Sequence, residues 1–166
     1  MKVRTVQEMF AYNDWANNRI LDAAARIDPT DWVQAGEMNH GSLRGILVHI
    51  LAAEVLWRKR CLEGISPSQL ISEAEFTTLV ELRKRWQDEV GQMHRCLESL
   101  TDPDLYNVVH YQNTRGERFE NYIWQLLVHV INHSTQHRSE AAVVLTALNT
   151  SPGDLDMIAF WRENMA

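Results

Sequence analysis

Apolar residues recur along this chain at three- and four-residue intervals in four long stretches, the spacing that lines one face of an α-helix. The first stretch carries Phe10, Trp15, Ile20, Leu21 and Ala24. Thr5 followed by Glu8 has the form of a capping box, in which side chains satisfy the open amides of a helix start. A helix is therefore predicted from Thr5, ending before Asp28-Pro29. Ser42 can cap a second helix that carries Leu43, Ile46, Leu47, Ile50 and Leu51, with Gly64 as its stop. Ser72 and Glu75 form another capping box, ahead of a third stripe of Leu79, Leu82, Trp86, Val90, Met93 and Leu97.

The texture then changes. Asp102-Pro103 breaks the third helix, and Leu105 to Tyr111 is rich in β-branched and aromatic residues. Asn113-Thr114-Arg115-Gly116 is turn chemistry, so Glu117-Arg118-Phe119 can pair back as a short hairpin. Asn121 can cap a long fourth helix running to about Leu148. Ser151-Pro152-Gly153 ends it, and Asp154 to Glu163 reads as a short C-terminal helix. Four long helices joined by short or moderate loops predict an all-α, four-helix bundle, with the small hairpin placed before the fourth long helix. The absence of repeats, low-complexity tracts and linkers predicts one domain over residues 1–166.

Composition narrows the function classes. Hydrophobic residues make up 45% and charged residues 23% of the 166, the balance of a chain that folds around a core. A net charge of −6 argues against electrostatic capture of nucleic acid. The basic triplets Arg58-Lys59-Arg60 and Arg83-Lys84-Arg85 are read as solvated helix faces. Cys61 and Cys96 give neither a disulfide framework nor a paired-thiol motif, and both are expected to be buried and reduced. No apolar run approaches a membrane span, and Met1 to Phe10 has no signal-peptide core, so a cytoplasmic protein is expected.

The histidines carry the chemistry. His129, His133 and His137 recur every four residues on the fourth helix. Each step advances ~400° and ~6 Å, so neighbours can share an ion, while the outer two, ~12 Å apart, cannot. The stripe thus supplies two ligands, either His129 with His133 or His133 with His137. His49 lies inside the apolar run Leu47-Val48-His49-Ile50-Leu51, where an unpaired imidazole costs free energy. It is either a core histidine bonded to a carbonyl or carboxylate, or a third ligand to a metal.

Several segments resemble one known family. Asn132-His133-Ser134-Thr135-Gln136-His137-Arg138 resembles the signature helix of the DinB-like (damage-inducible-protein) family of four-helix metalloproteins. Tyr12-Asn13-Asp14-Trp15-Ala16-Asn17-Asn18-Arg19 resembles its first helix. Gly41-Ser42-Leu43 leading to Val48-His49-Ile50 resembles its second, and Leu155-Asp156-Met157-Ile158 its C-terminal segment. The resemblance implies an up-down-down-up bundle, a homodimer, and a divalent metal held by three histidines, selecting His133 and His137 beside His49. It also implies thiol-dependent transferase or isomerase chemistry for those members with an assigned activity. This chain departs from the family's usual His-Arg-Gly-Gln, with His137-Arg138-Ser139-Glu140 in its place. Glu140 falls on the metal-facing stripe, where a carboxylate can orient a ligand, accept a proton or bind the ion, or else form an ordinary salt bridge.

An open three-imidazole site points to reactivity, since closed structural zinc sites use four ligands and favour cysteine. The leading expectation is an enzyme using zinc, nickel or iron(II) to activate a low-molecular-weight thiol, or water, against a small electrophile. Asn13, Asn17, Trp57 and His129 are candidate pocket-lining residues. The alternatives are a metal-assisted hydrolase without a thiol, and a non-catalytic, stress-related metal-binding or scaffold protein.

Overall fold

The computed structural model describes residues 1–36 and 40–164, and these are mostly helical with one two-stranded antiparallel sheet. The helices are α1 (Val3–Ala24), α2 (Leu43–Leu62), α3 (Leu79–Glu98), α4 (Ile123–Ala147) and a short α5 (Met157–Asn164). Strands β1 (Val108–Gln112) and β2 (Arg118–Tyr122) form the expected hairpin ahead of α4, with Val109 opposite Asn121 and Tyr111 opposite Phe119. Its turn is held by the Asn113 side-chain oxygen, which accepts from the amides of Arg115 and Glu117.

Three helix starts differ from the sequence expectation, each because a better acceptor is at hand. α1 opens at Val3, two residues before Thr5, because the distant Asp102 carboxylate accepts the Val3 amide at 2.9 Å. Glu8 instead pairs with Arg4. The Ser72–Glu75 capping box forms, but it caps only a 3-10 turn at Glu73–Glu75. α3 starts later, at a second box in which Thr78 accepts from Glu81 and the Glu81 carboxylate accepts the Thr78 amide at 2.9 Å. Asn121 does not cap α4. It sits in β2 and accepts from the Tyr111 hydroxyl at 2.9 Å, while the Gln125 side chain accepts the Tyr122 amide. Ser42 caps α2 as expected, accepting from Gly45.

Side-chain pairs give the helix directions. Asp14 meets His94 and Asp22 meets Arg83, so α1 and α3 run in opposite senses. Glu54 meets Trp86 and Arg58 meets Glu89, so α2 and α3 run together. His49 faces His133 and Trp57 faces His129, so α2 and α4 are opposed.

The core has two apolar clusters. One joins Ile20 and Leu21 to the first half of α2, to Leu82 and Trp86, and to Ala141 and Leu145. The other joins Val6, Phe10 and Ala16 to Met93, Leu97, Leu105 and the segment Ile123–Ile131. Along α4, Ser134, His137 and Arg138 occupy the gap between the clusters, and all three are buried. Cys61 is buried and Cys96 half-buried, and neither forms a disulfide. Burial pushes the Cys61 thiol up to about 12, so it is unreactive at neutral pH. Among the described residues no helix is long and apolar enough to cross a membrane.

The capping box read from sequence at Thr5 and the one the structure shows at Thr78 therefore differ in weight. Thr78→Ala should lower unfolding stability by about 1 kcal/mol, whereas Thr5→Ala should leave the urea midpoint almost unchanged. Equal losses would mean that α3 does not begin at Thr78.

Candidate metal centre

The candidate site begins at the start of α2. Gly45 lies one turn before His49, and a Cβ there would collide with the His40 carbonyl oxygen. Glycine thus lets the loop that carries His40 lie against the helix. The loop is pinned by the Ser42 amide, which donates to the His40 carbonyl at 2.8 Å, and by the Glu73 carboxylate, which accepts from Ser42 and Arg44. The result stacks the His40 ring on His49, with centroids 3.9 Å apart and planes 20° apart.

From the other side, α4 brings up its histidine stripe. His49 Nε2 and His133 Nε2 stand 3.0 Å apart. The ring centroids of His49, His133 and His137 lie 4.8, 4.5 and 4.5 Å from one another. His40, His49 and His137 also offer nitrogen atoms within 4.8 Å of one another, so three histidines are positioned to hold a metal ion. His40 was not among the residues singled out from sequence, because it sits in a loop where helical periodicity gives no signal. His129 lies at the edge, 5.8 Å from His133 and packed edge-on to Trp57.

The donor set suits a cation. Burial first, then the neighbouring imidazoles, push His49 and His133 down to about 4, so both rings are neutral at pH 7. They can bind a cation there without first losing a proton. The Glu140 carboxylate meets His137 Nδ1 at 2.8 Å. That bond holds the Nδ1 proton and leaves Nε2 as the free lone pair. His133 Nδ1 is buried with no hydrogen-bond partner among the described residues, so this ring's bonding is directed to the His49 side.

The profile of the DinB family matches residues 1–164. The chain belongs to the DinB family. No curated protein matches it.

In this DinB-family chain, Asn13 and Asn17 belong to a buried polar network. Both are buried and donate their amides to Glu54 Oε1, at 2.7 and 3.0 Å, while their oxygens accept from Arg138. Ser134 donates to the same Glu54 oxygen, and Trp86 donates to the other at 3.2 Å. The carboxylate thereby ties α1, α3 and α4 to α2. Ser134 and Arg138 each follow a stripe histidine by one residue, so the network fixes the rotation of α4 that aims His133 and His137. The Asn13 and Asn17 amides are spent on this network. Trp57 is half-buried, packed edge-on to Tyr111 and His129. Sequence reasoning missed Glu54, although an acid within an apolar helix, five residues after His49, was a visible signal.

Burial raises the Glu54 carboxyl to about 7, against the pull of the two asparagine amides and Arg138. Between pH 4.5 and about 7 the folded chain therefore keeps a proton that the unfolded chain has lost. This component of stability falls as pH rises through that window and levels off above it. Urea unfolding of metal-free protein should show the fall, and Glu54→Gln should remove it. An unchanged slope in the variant would place the titration elsewhere. Glu54→Ala, which strands the donors, should cost about 3 kcal/mol.

Proposed function

We propose that this chain is a metal-dependent enzyme of up-down-down-up, four-helix-bundle form, folded as one domain. His49, His133 and His137 hold one divalent ion, and the reaction joins a small electrophile to a low-molecular-weight thiol. The single observation that carries this reading is the triangle of ring centroids at 4.8, 4.5 and 4.5 Å. Imidazoles that share an ion through bonds of about 2.0–2.1 Å should have centroids about 4.5–5.2 Å apart at ordinary bond angles. The 3.0 Å approach of His49 Nε2 to His133 Nε2 fits the same condition. His40 fits less well. Its ring is parallel to His49 at 3.9 Å, and stacked rings do not aim their in-plane lone pairs at one point.

Three imidazoles suit zinc, nickel or iron(II). When bound, such an ion supplies Lewis acidity that lowers the pKa of a thiol or of water. The protein's own part is orientation and proton handling. Glu140 fixes the His137 ring and, being half-buried at the rim, can accept the proton that the nucleophile gives up. His40, stacked above His49, restricts entry from the loop side. Homodimerisation belongs to the same reading and follows the family resemblance, and a cytoplasmic location is proposed with it. A hydrolase using water alone shares every one of these residues and differs only in the nucleophile.

Metal analysis of protein purified without a histidine tag tests the ligand set. His133→Ala should abolish stoichiometric binding, while His40→Ala and His129→Ala should retain most of it. Loss with His40→Ala and retention with His133→Ala would transfer the ligand role to the His40, His49 and His137 set. For the reaction, the metal-loaded protein should consume an electrophile such as a haloaromatic at a rate that rises with added thiol. A rate indifferent to thiol would favour the hydrolase, and no turnover with any nucleophile would sink the enzymatic reading.

A further inference from the structure

A buried tryptophan usually finds an acceptor for its indole N–H. Trp86 donates to Glu54 and Trp15 to Glu163. Trp32 is different. It lies between α1 and α2 and is only 6% exposed, yet its Nε1 has no hydrogen-bond partner among the described residues. Its place is fixed on the backbone side, where its carbonyl accepts the Arg44 amide at 3.1 Å.

The Trp32 indole is part of the wall of a pocket of about 340 Å³, shared with Ala24, Ile27, Pro29, Leu79 and Val80. The last two are the first residues of α3, so the pocket also meets a helix N-terminus, where amides lack acceptors within the helix. The capping box deals with two of the amides there. The Thr78 hydroxyl accepts from Glu81, and the Glu81 carboxylate accepts the Thr78 amide. The Leu79 and Val80 amides are left without an acceptor among the described residues. Unused donors thus belong to two separate parts of one wall. The Thr77 hydroxyl, also on this wall, is engaged by Glu81 at 3.0 Å.

We propose that this pocket binds a small uncharged organic molecule, apolar over most of its surface, whose single carbonyl-type oxygen accepts from Trp32 Nε1 and the start of α3. The apolar walls set the body of the ligand, and the unused donors set its one polar atom. Charge decides against an anion. No side chain on the wall is cationic, and the Glu81 carboxylate already faces this helix end. Bonds from Thr78 and Thr77 hold the Glu81 carboxyl below its ordinary range, so it is ionised at neutral pH and would repel a second carboxylate. The proposal does not require the histidines to hold an ion.

The test is an NMR titration of the full chain with acetophenone, ethylbenzene or benzoate, following the Trp32 Nε1–Hε1 resonance and the Leu79 and Val80 amides. Acetophenone should shift all three saturably. Ethylbenzene, which has a similar shape but no acceptor, should bind at least about threefold more weakly, as should benzoate. Trp32→Phe keeps an aromatic wall and removes the donor. It should weaken acetophenone about three- to tenfold and leave ethylbenzene within about twofold. Ala25→Phe, a change at an exposed position on the pocket wall, should weaken both by filling the space. If Trp32→Phe fails to fold, Ala25→Phe and the ranking of the three probes on the native chain carry the comparison. The proposal is overturned if acetophenone does not saturate, if ethylbenzene or benzoate binds as tightly, or if a folded Trp32→Phe or Ala25→Phe variant keeps the native acetophenone affinity. His133→Ala should leave acetophenone binding intact while removing metal, so the two readings fail separately.

Discussion

A helix pair that buries imidazoles must give their nitrogens something to bind, because an unpaired polar group between helices costs more than a missing contact. Here α2 and α4 press His49, His133 and His137 together at centroid distances of 4.5 to 4.8 Å. Burial has already driven off the protons of His49 and His133, so the two nitrogens facing each other at 3.0 Å belong to neutral rings. At most one of them can donate to the other. On the proposed reading, a cation that accepts lone pairs from all three rings would resolve the conflict, and the surrounding structure holds these rings in place.

That holding is done largely by the Glu54 network. A carboxylate taking bonds from Asn13, Asn17, Ser134 and Trp86 locks three helices to α2 at one depth. Arg138 closes the network from α4, one residue beyond His137. The apolar clusters lie to either side, and the polar seam occupies the break in the apolar pattern of α4. Such a seam specifies the rotation and register of the helices in a way that interchangeable aliphatic contacts do not.

Much of this was legible in the chain. The apolar periodicity located all four long helices, and the turn chemistry of Asn113 to Gly116 located the hairpin. The histidine stripe was visible from helical spacing, whereas the choice of His133 and His137 beside His49 came from the family resemblance. What could not be read depends on groups far apart in sequence. The start of α1 is set by Asp102, some hundred residues away, and the place of Asn121 is set by Tyr111 across the hairpin. His40 was invisible for a related reason. Its position depends on a loop folding against Gly45, and no periodic pattern marks that contact. Glu54 and Arg138, the partners of Asn13 and Asn17, lie far along the chain from them, so the network could not be read from spacing.

The account rests on imidazoles from two helices sharing one cation, and the most direct probe of that is the coordination shell itself. X-ray absorption at the metal edge, on native protein loaded with one equivalent of zinc, reports the ligand number and type. The account predicts three imidazoles at about 2.0–2.1 Å with open positions filled by light atoms. A shell with one imidazole or none, or one containing sulfur from Cys61 or Cys96, would contradict it.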